Sequence, residues 1–119
     1  MKTEIRLTKN FSKRAKSLIK KYPSLINELE FLQNELISNP HLGTPLGSNS
    51  YKIRLSIQSK GKGKSGGARV ITHLESEIVG IVEKDTAGKV TVYLLTIYDK
   101  SETATISTKE LKELIKNKV

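Results

Sequence analysis

The 119-residue chain contains no cysteine and no tryptophan. Without cysteine there is neither a disulfide framework nor a thiolate metal site. Two histidines, His41 and His73, are too few for a histidine-rich cluster, so no metal or other cofactor is expected. Aromatic residues are scarce: Phe11, Phe31, Tyr22, Tyr51, Tyr93 and Tyr98. Their scarcity argues against a stacking platform for single-stranded nucleic acid. No apolar run is long enough to span a bilayer. The opening MKTEIRL places charges where a signal peptide needs its apolar segment. The expectation is a cytoplasmic protein with no membrane partner. The most telling absence is local: residues 36–74 hold no Asp or Glu. They do hold Lys52, Arg54, Lys60, Lys62, Lys64 and Arg69, within a chain of net charge +9. Cations gathered in this way imply an anionic partner.

The length fits one domain, 1–119, with a single core. Residues 2–7 read as a short strand with Ile5 and Leu7 on one side and Glu4 and Arg6 on the other. Thr8 or Asn10 can cap a helix carrying Phe11, Ala15, Leu18, Ile19 and Tyr22 at helical spacing. Pro23 ends it, and Leu25, Leu29, Leu32 and Leu36 mark a second helix that stops at Asn39-Pro40. So short a turn makes the two helices an antiparallel hairpin. Residues 41–50 (HLGTPLGSNS) are rich in turn formers and read as a loop. In YKIRLSI, Tyr51, Ile53, Leu55 and Ile57 alternate with Lys52, Arg54 and Ser56, the pattern of a strand with its cations on one open face. ARVITHL and IVGIV follow, either as one long strand irregular near Ser76 or as two short ones. DTAGK (85–89) reads as a hairpin turn, and VTVYLLTIY (90–98) as the clearest buried strand. Ser107 and Glu110 have capping-box spacing before a last helix with Leu111, Leu114 and Ile115. The fold class is α+β in the order β-α-α-β-β-β-α, a mostly antiparallel sheet packed on a helical hairpin, with helices on one face.

Several constellations could carry chemistry. Gly63-Lys64-Ser65 invites comparison with a nucleotide-binding P-loop, but the pattern needs glycine where Gln58 stands, and no helix follows. The loop 59–67 has four glycines and the lysines Lys60, Lys62 and Lys64. It reads either as a mobile loop embracing a phosphodiester backbone or as a solvated hairpin. Lys52 and Arg54 share a strand face about 7 Å apart. Neighbouring like charges depress a lysine pKa, and such a lysine can take a proton near neutral pH. Arg69 stays charged and can grip phosphate with its planar fork. Thr96, Tyr98 and Lys100 alternate outward if Leu95 and Ile97 face the core. A phenol and a cation at a strand end can meet a phosphate or a base. No Ser/His/Asp arrangement, paired acids or metal-ligand spacing stands out.

The element order, the NPHLGTPLG loop before YKIRL, the later ARVI strand and the terminal LLTIYDKSE together resemble the RelE/ParE superfamily of bacterial type II toxins. The resemblance covers nearly the whole chain. SKGKGKSGGARVI with IYDKSE is similar to a RelE-like or HigB-like subgroup with a long basic loop. It implies a metal-independent endoribonuclease that enters the ribosome and cuts mRNA. The ribose 2′-OH would attack the adjacent phosphate, leaving a cyclic phosphate and a free 5′-OH. Lys52 and Arg54 fall on the two basic strand positions, Arg69 on the phosphate-binding arginine, and Lys100 near a further arginine of that family. RelE-like chains carry a tyrosine shortly after that last position. Here the region reads Thr103, Ala104, Thr105, Ile106, Ser107, and Tyr98 is the candidate replacement. The catalytic set is therefore Lys52, Arg54, Arg69, Lys100 and Tyr98, with Lys60, Lys62 and Lys64 as RNA-binding residues. The implied partners are the ribosome, mRNA and an acidic antitoxin that masks the cations and displaces the last helix. The alternative within the resemblance is a ParE-like gyrase inhibitor or a non-catalytic RNA-binding module.

Overall fold

The computed structural model describes residues 2–61, 66–82, 85–103 and 105–119. Strand β1 (Lys2–Leu7) runs into helix α1 (Lys9–Lys21) through Thr8. The extended Thr8 accepts from the Phe11 amide at 3.1 Å, an N-cap. Its hydroxyl also lies 3.1 and 3.0 Å from the carbonyls of Leu94 and Leu95. One side chain thus caps α1 and ties it to the sheet. Lys20 and Lys21 fill the last turn, where the helix dipole favours cations. After Pro23, α2 (Leu25–Ser38) begins. Its Leu25, Leu29, Leu32 and Leu36 are all buried, as their spacing predicts. With Phe11 and Ala15 they cover one face of the sheet.

Residues 41–50 are more than a loop. They include β2 (Thr44–Gly47), which pairs antiparallel with β3 (Ser50–Leu55). Pro45 argued against a strand, yet an edge strand tolerates proline because its outer side needs no donor. Ser48 and Asn49 reverse the chain with φ of 53° and 56°. That doubly left-handed pair is what a two-residue hairpin requires. A short 3₁₀ turn (Gln58–Lys60) follows β3.

The sheet is completed by β4 (Ala68–Val82) and β5 (Asp85–Asp99). Its order is β1-β5-β4-β3-β2, with only the β1–β5 pair parallel. The chain is therefore α+β with a five-stranded, mostly antiparallel sheet. One local expectation is corrected. Asp85 pairs with Val82 and Lys89 with Glu77, so 85–89 belongs to β5 and is not the turn. β4 is the one long strand of the two readings, and its pairing with β5 slips between Ile71 and Thr72 and again between Ile78 and Gly80, the second slip starting two residues past Ser76.

The first slip decides what each face of β5 carries. Ile71 pairs with Thr96 and Thr72 with Leu94, leaving Leu95 as an extra residue on β5, a bulge. Simple alternation would put Leu95 and Ile97 on one side. Instead Ile97 joins Val90, Val92 and Leu94 beneath α1 and α2. Leu95 and Tyr98 join Ile71 on the opposite face. Helix α3 (Thr108–Lys116) lies on that opposite face. Its capping box is present: Ser107 Oγ accepts from the Glu110 amide at 3.1 Å, and Glu110 Oε1 accepts from the Ser107 amide at 3.3 Å. Leu111 packs on Ile71, Leu95 and Tyr98, with Ile106, Leu114 and Ile115 beside it. The helices thus occupy both faces rather than one, because the bulge supplies α3 with its own apolar floor. No described helix is long and apolar enough to cross a membrane.

Gly43 and Gly47 flank β2 with φ of 106° and 85°. A Cβ on Gly43 would lie 2.6 Å from the Lys52 carbonyl oxygen, whereas one on Gly47 would meet nothing. Gly47→Ala is expected to cost about 1 kcal/mol from backbone strain alone. Gly43→Ala should cost clearly more, about 3 kcal/mol, because strain and a backbone clash combine. Urea titration of both variants checks the order, and equal losses would mean the β2–β3 packing yields freely.

Candidate nucleic-acid interface

The register brings four of the five catalytic candidates together on the face that α3 partly covers. Arg54 lies directly opposite Arg69 across the β3–β4 pair, and Arg69 lies opposite Tyr98 across β4–β5. Lys52 stands two positions along β3, opposite Ile71, which is opposite Thr96. A row Arg54–Arg69–Tyr98 therefore crosses three strands, with Lys52 beside it. Two arginines directly opposite each other repel, so the row holds a concentrated positive field.

The row is not uniformly open. Arg54 is exposed and Lys52 is half-buried. Arg69 is only 4 % exposed and Tyr98 6 %. Arg69 Nη1 donates to the Ala68 carbonyl at 3.0 Å, turning part of its fork inward. The sequence expectation of cations on an open sheet face thus holds for Arg54, in part for Lys52, and fails for Arg69. Burial pushes the Tyr98 phenol above its usual pKa; Arg69 opposes this and Glu110 adds to it. Tyr98 is a neutral phenol at pH 7, able to donate. Its buried hydroxyl has no hydrogen-bond partner among the described residues.

Lys100 is half-buried just past β5, and its amide donates to Gly67 O at 3.0 Å. This bond ties the far side of the basic loop to the end of β5. The near side is tied more firmly. The Lys60 ammonium pairs with the Asp99 carboxylate, and its side chain is 8 % exposed. It also reaches Ser101 Oγ at 3.1 Å and sits 5.7 Å from the centre of the Tyr22 ring. Lys60 is consequently a structural cation rather than an RNA-facing one. Lys62 and Lys64 lie outside the described residues.

Asp99 is the centre of this anchorage and was missed as a key residue at the sequence level. It is 1 % exposed and accepts from Lys60, from the Ser101 amide at 2.9 Å and hydroxyl at 2.7 Å, and from Tyr22 at 3.0 Å. Burial alone would raise its pKa. The hydrogen bonds from Lys60, Ser101 and Tyr22 outweigh it and hold the carboxyl well below the usual carboxylate range. Beneath the loop, Ser59 and Ser24 exchange bonds at 2.9 and 3.0 Å, and the Gln58 amide donates to Glu28 Oε1 at 2.6 Å.

The two histidines lie away from the row's central residues. His41 Nδ1 meets the Tyr51 hydroxyl at 3.0 Å. Ser50 Oγ meets His73 Nδ1 at 3.1 Å, and His73 Nε2 lies 3.9 Å from Glu75. This Ser–His–Glu series was invisible in the sequence because the fold, not spacing, assembles it. Ser50 is 1 % exposed, so no substrate reaches its hydroxyl. Burial lowers the His73 pKa, with Glu75 partly opposing, so His73 is neutral at pH 7. The series is a structural hydrogen-bond chain. No family model matches the chain.

Asp99→Asn is expected to lose about 3 kcal/mol at pH 7, the usual cost of breaking a buried ion pair. Because the folded pKa is depressed, the wild-type pair contributes fully above the unfolded value of about 3.9 and fades as pH falls through the folded one. The difference in stability between wild type and variant should therefore shrink on acidification below about pH 4. Urea midpoints at pH 7, 5 and 3 check this, and a gap that stays constant with pH would contradict it.

Proposed function

We propose that this chain is a RelE-like toxin that cleaves mRNA on the ribosome and is neutralised by an acidic antitoxin. The observation that carries the reading is the cross-strand row Arg54–Arg69–Tyr98 with Lys52 beside it. Phosphodiester cleavage by a 2′-OH needs fixed positive charge where the phosphorane charge develops, and a donor near the leaving oxygen. Lys52 and Arg54 supply exposed or half-exposed charge. Arg69 supplies a guanidinium held by the sheet, and Tyr98 a protonated phenol directly opposite it. The element order β-α-α-β-β-β-β-α, in an α+β fold with a mostly antiparallel sheet, supports this reading. The remainder of the resemblance rests on the sequence: YKIRL, ARVI and IYDKSE at their spacing.

A second reading is a ParE-like gyrase inhibitor or a non-catalytic binder. One observation favours it. Ile106, near where RelE-like chains place a tyrosine, packs half-buried against the α3 cluster and cannot transfer a proton. Under this reading the cations serve binding only.

The double substitution Lys52→Ala/Arg54→Ala separates the two. Neither side chain is fully buried, so the fold should survive, as a thermal melt would show. Primer extension on cellular mRNA after brief induction should reveal cuts within translated codons for the wild type. The double variant should reduce them about 100-fold or more, the scale seen when charge stabilisation is removed from a transition state. A folded double variant that stays fully toxic would remove the proposed site. Intact transcripts with a DNA-damage response would favour the gyrase reading.

A further inference from the structure

A groove of about 590 Å³ runs along the end of β5, walled by α3 on one side and the start of α1 on the other. β1 ends opposite Leu94, so on that edge β5 has no strand partner beyond it among the described residues. The groove falls within the size range of small-ligand sites. Leu95, Ile106 and Leu114 give it apolar surface, and Thr96 and Tyr98 give it polar groups from the strand. Its charged lining is balanced: Arg14 and Lys109 against Glu110 and Glu113. A balanced groove is unsuited to a phosphate and suited to a flat, uncharged ligand with both donors and acceptors.

The second observation is the hydroxyl of Tyr98. The residue is 94 % buried, lines the groove, and its hydroxyl lacks any hydrogen-bond partner among the described residues. A buried hydroxyl left unpaired is costly, and natural structures keep few of them. Tyr98 is also the meeting point of groove and cation row, since it lies directly opposite Arg69. A ligand occupying both would place an anion on the row and a planar group in the groove, within the span of one nucleotide.

We propose that the groove between β5, α1 and α3 is a nucleobase pocket, with the Tyr98 hydroxyl oxygen accepting from the base while Lys52 and Arg54 take its phosphate. The proposal deepens the nucleic-acid reading above and names a specificity-determining residue for it. Single-stranded RNA is commonly read in this way, by splaying a base out and bonding its edge. Helix α3 is then a wall of the site rather than a lid, because the groove is present with α3 docked.

The test uses the intact chain and four free nucleosides, which carry no phosphate, with inorganic phosphate as a separate probe. Titrations followed by NMR should shift resonances of Leu95, Thr96, Ile106 and Leu114 with at least one nucleoside. Phosphate should shift Lys52 and Arg54 instead. Tyr98→Phe keeps the ring and removes the hydroxyl. It should raise the thermal midpoint, because an unpaired buried group is gone, and weaken nucleoside binding about tenfold. Opposite signs for stability and affinity would not arise from a purely structural tyrosine. Silent groove resonances with all four nucleosides, or unchanged affinity in Tyr98→Phe, would overturn the pocket. Phosphate shifts on Lys52 and Arg54 in that case would leave the cationic interface standing. Nucleoside binding alongside full toxicity of the Lys52→Ala/Arg54→Ala variant would support the pocket and reject the nuclease.

Discussion

The carboxylate of Asp99 is the constraint on which the functional face depends. It ends β5, yet its partners come from α1, the turn after β3 and the segment after β5. A buried charge with fewer partners would destabilise the fold. With Lys60, Tyr22 and Ser101 in place it fixes where the strand end, the helix hairpin and the base of the basic loop meet. Tyr98 and Lys100 flank it in sequence, so their positions follow from its own. The amide of Lys100 completes the arrangement by holding Gly67 on the far side of the loop. The loop 59–67 is therefore a glycine-rich segment with both ends clamped.

This arrangement also revises what the basic stretch means. Six cations without an acid between them read as a single electrostatic feature. The fold divides them by role. Lys60 neutralises a buried carboxylate. Arg69 is drawn beneath the surface, and among the described ones Arg54 and Lys52 remain nearest to solvent. Net charge counts every lysine equally, but only those left without a buried counter-charge contribute fully to an external field.

Much of the fold was legible in the sequence because it depends on local periodicity. The leucine stripe of α2, the caps at Thr8 and Ser107, the alternation of YKIRL and the apolar run of β5 all translated directly into structure. What escaped depended on contacts between distant segments or on backbone conformations that composition does not signal. Strand β2 was hidden by Pro45, because the rule against proline in strands holds for interior strands. The side assigned to Leu95 was wrong because a bulge leaves no mark in the hydrophobic pattern. The site was legible in its cations and opaque in its geometry. Lys52 and Arg54 follow from alternation, whereas the Arg69–Tyr98 pairing needs the register. The roles of Asp99 and Lys60 need a contact 39 residues apart in the chain.

The bulge at Leu95 has a consequence for how the chain can change. On its amino-terminal side, β5 turns even-numbered residues toward α1 and α2; on its other side it turns odd-numbered ones there. The strand is thus two half-strands of opposite parity joined at a single surplus residue. Substitutions within either half alter one side chain at a time. Loss of one residue between Leu94 and Thr96 would restore unbroken alternation while leaving Ile97 beneath the helical hairpin and Tyr98 on the α3 face, and it would take from α3 the apolar surface of Leu95. The surplus residue therefore leaves the faces of Ile97 and Tyr98 as they are and serves α3, whose apolar floor depends on chain length at this one point.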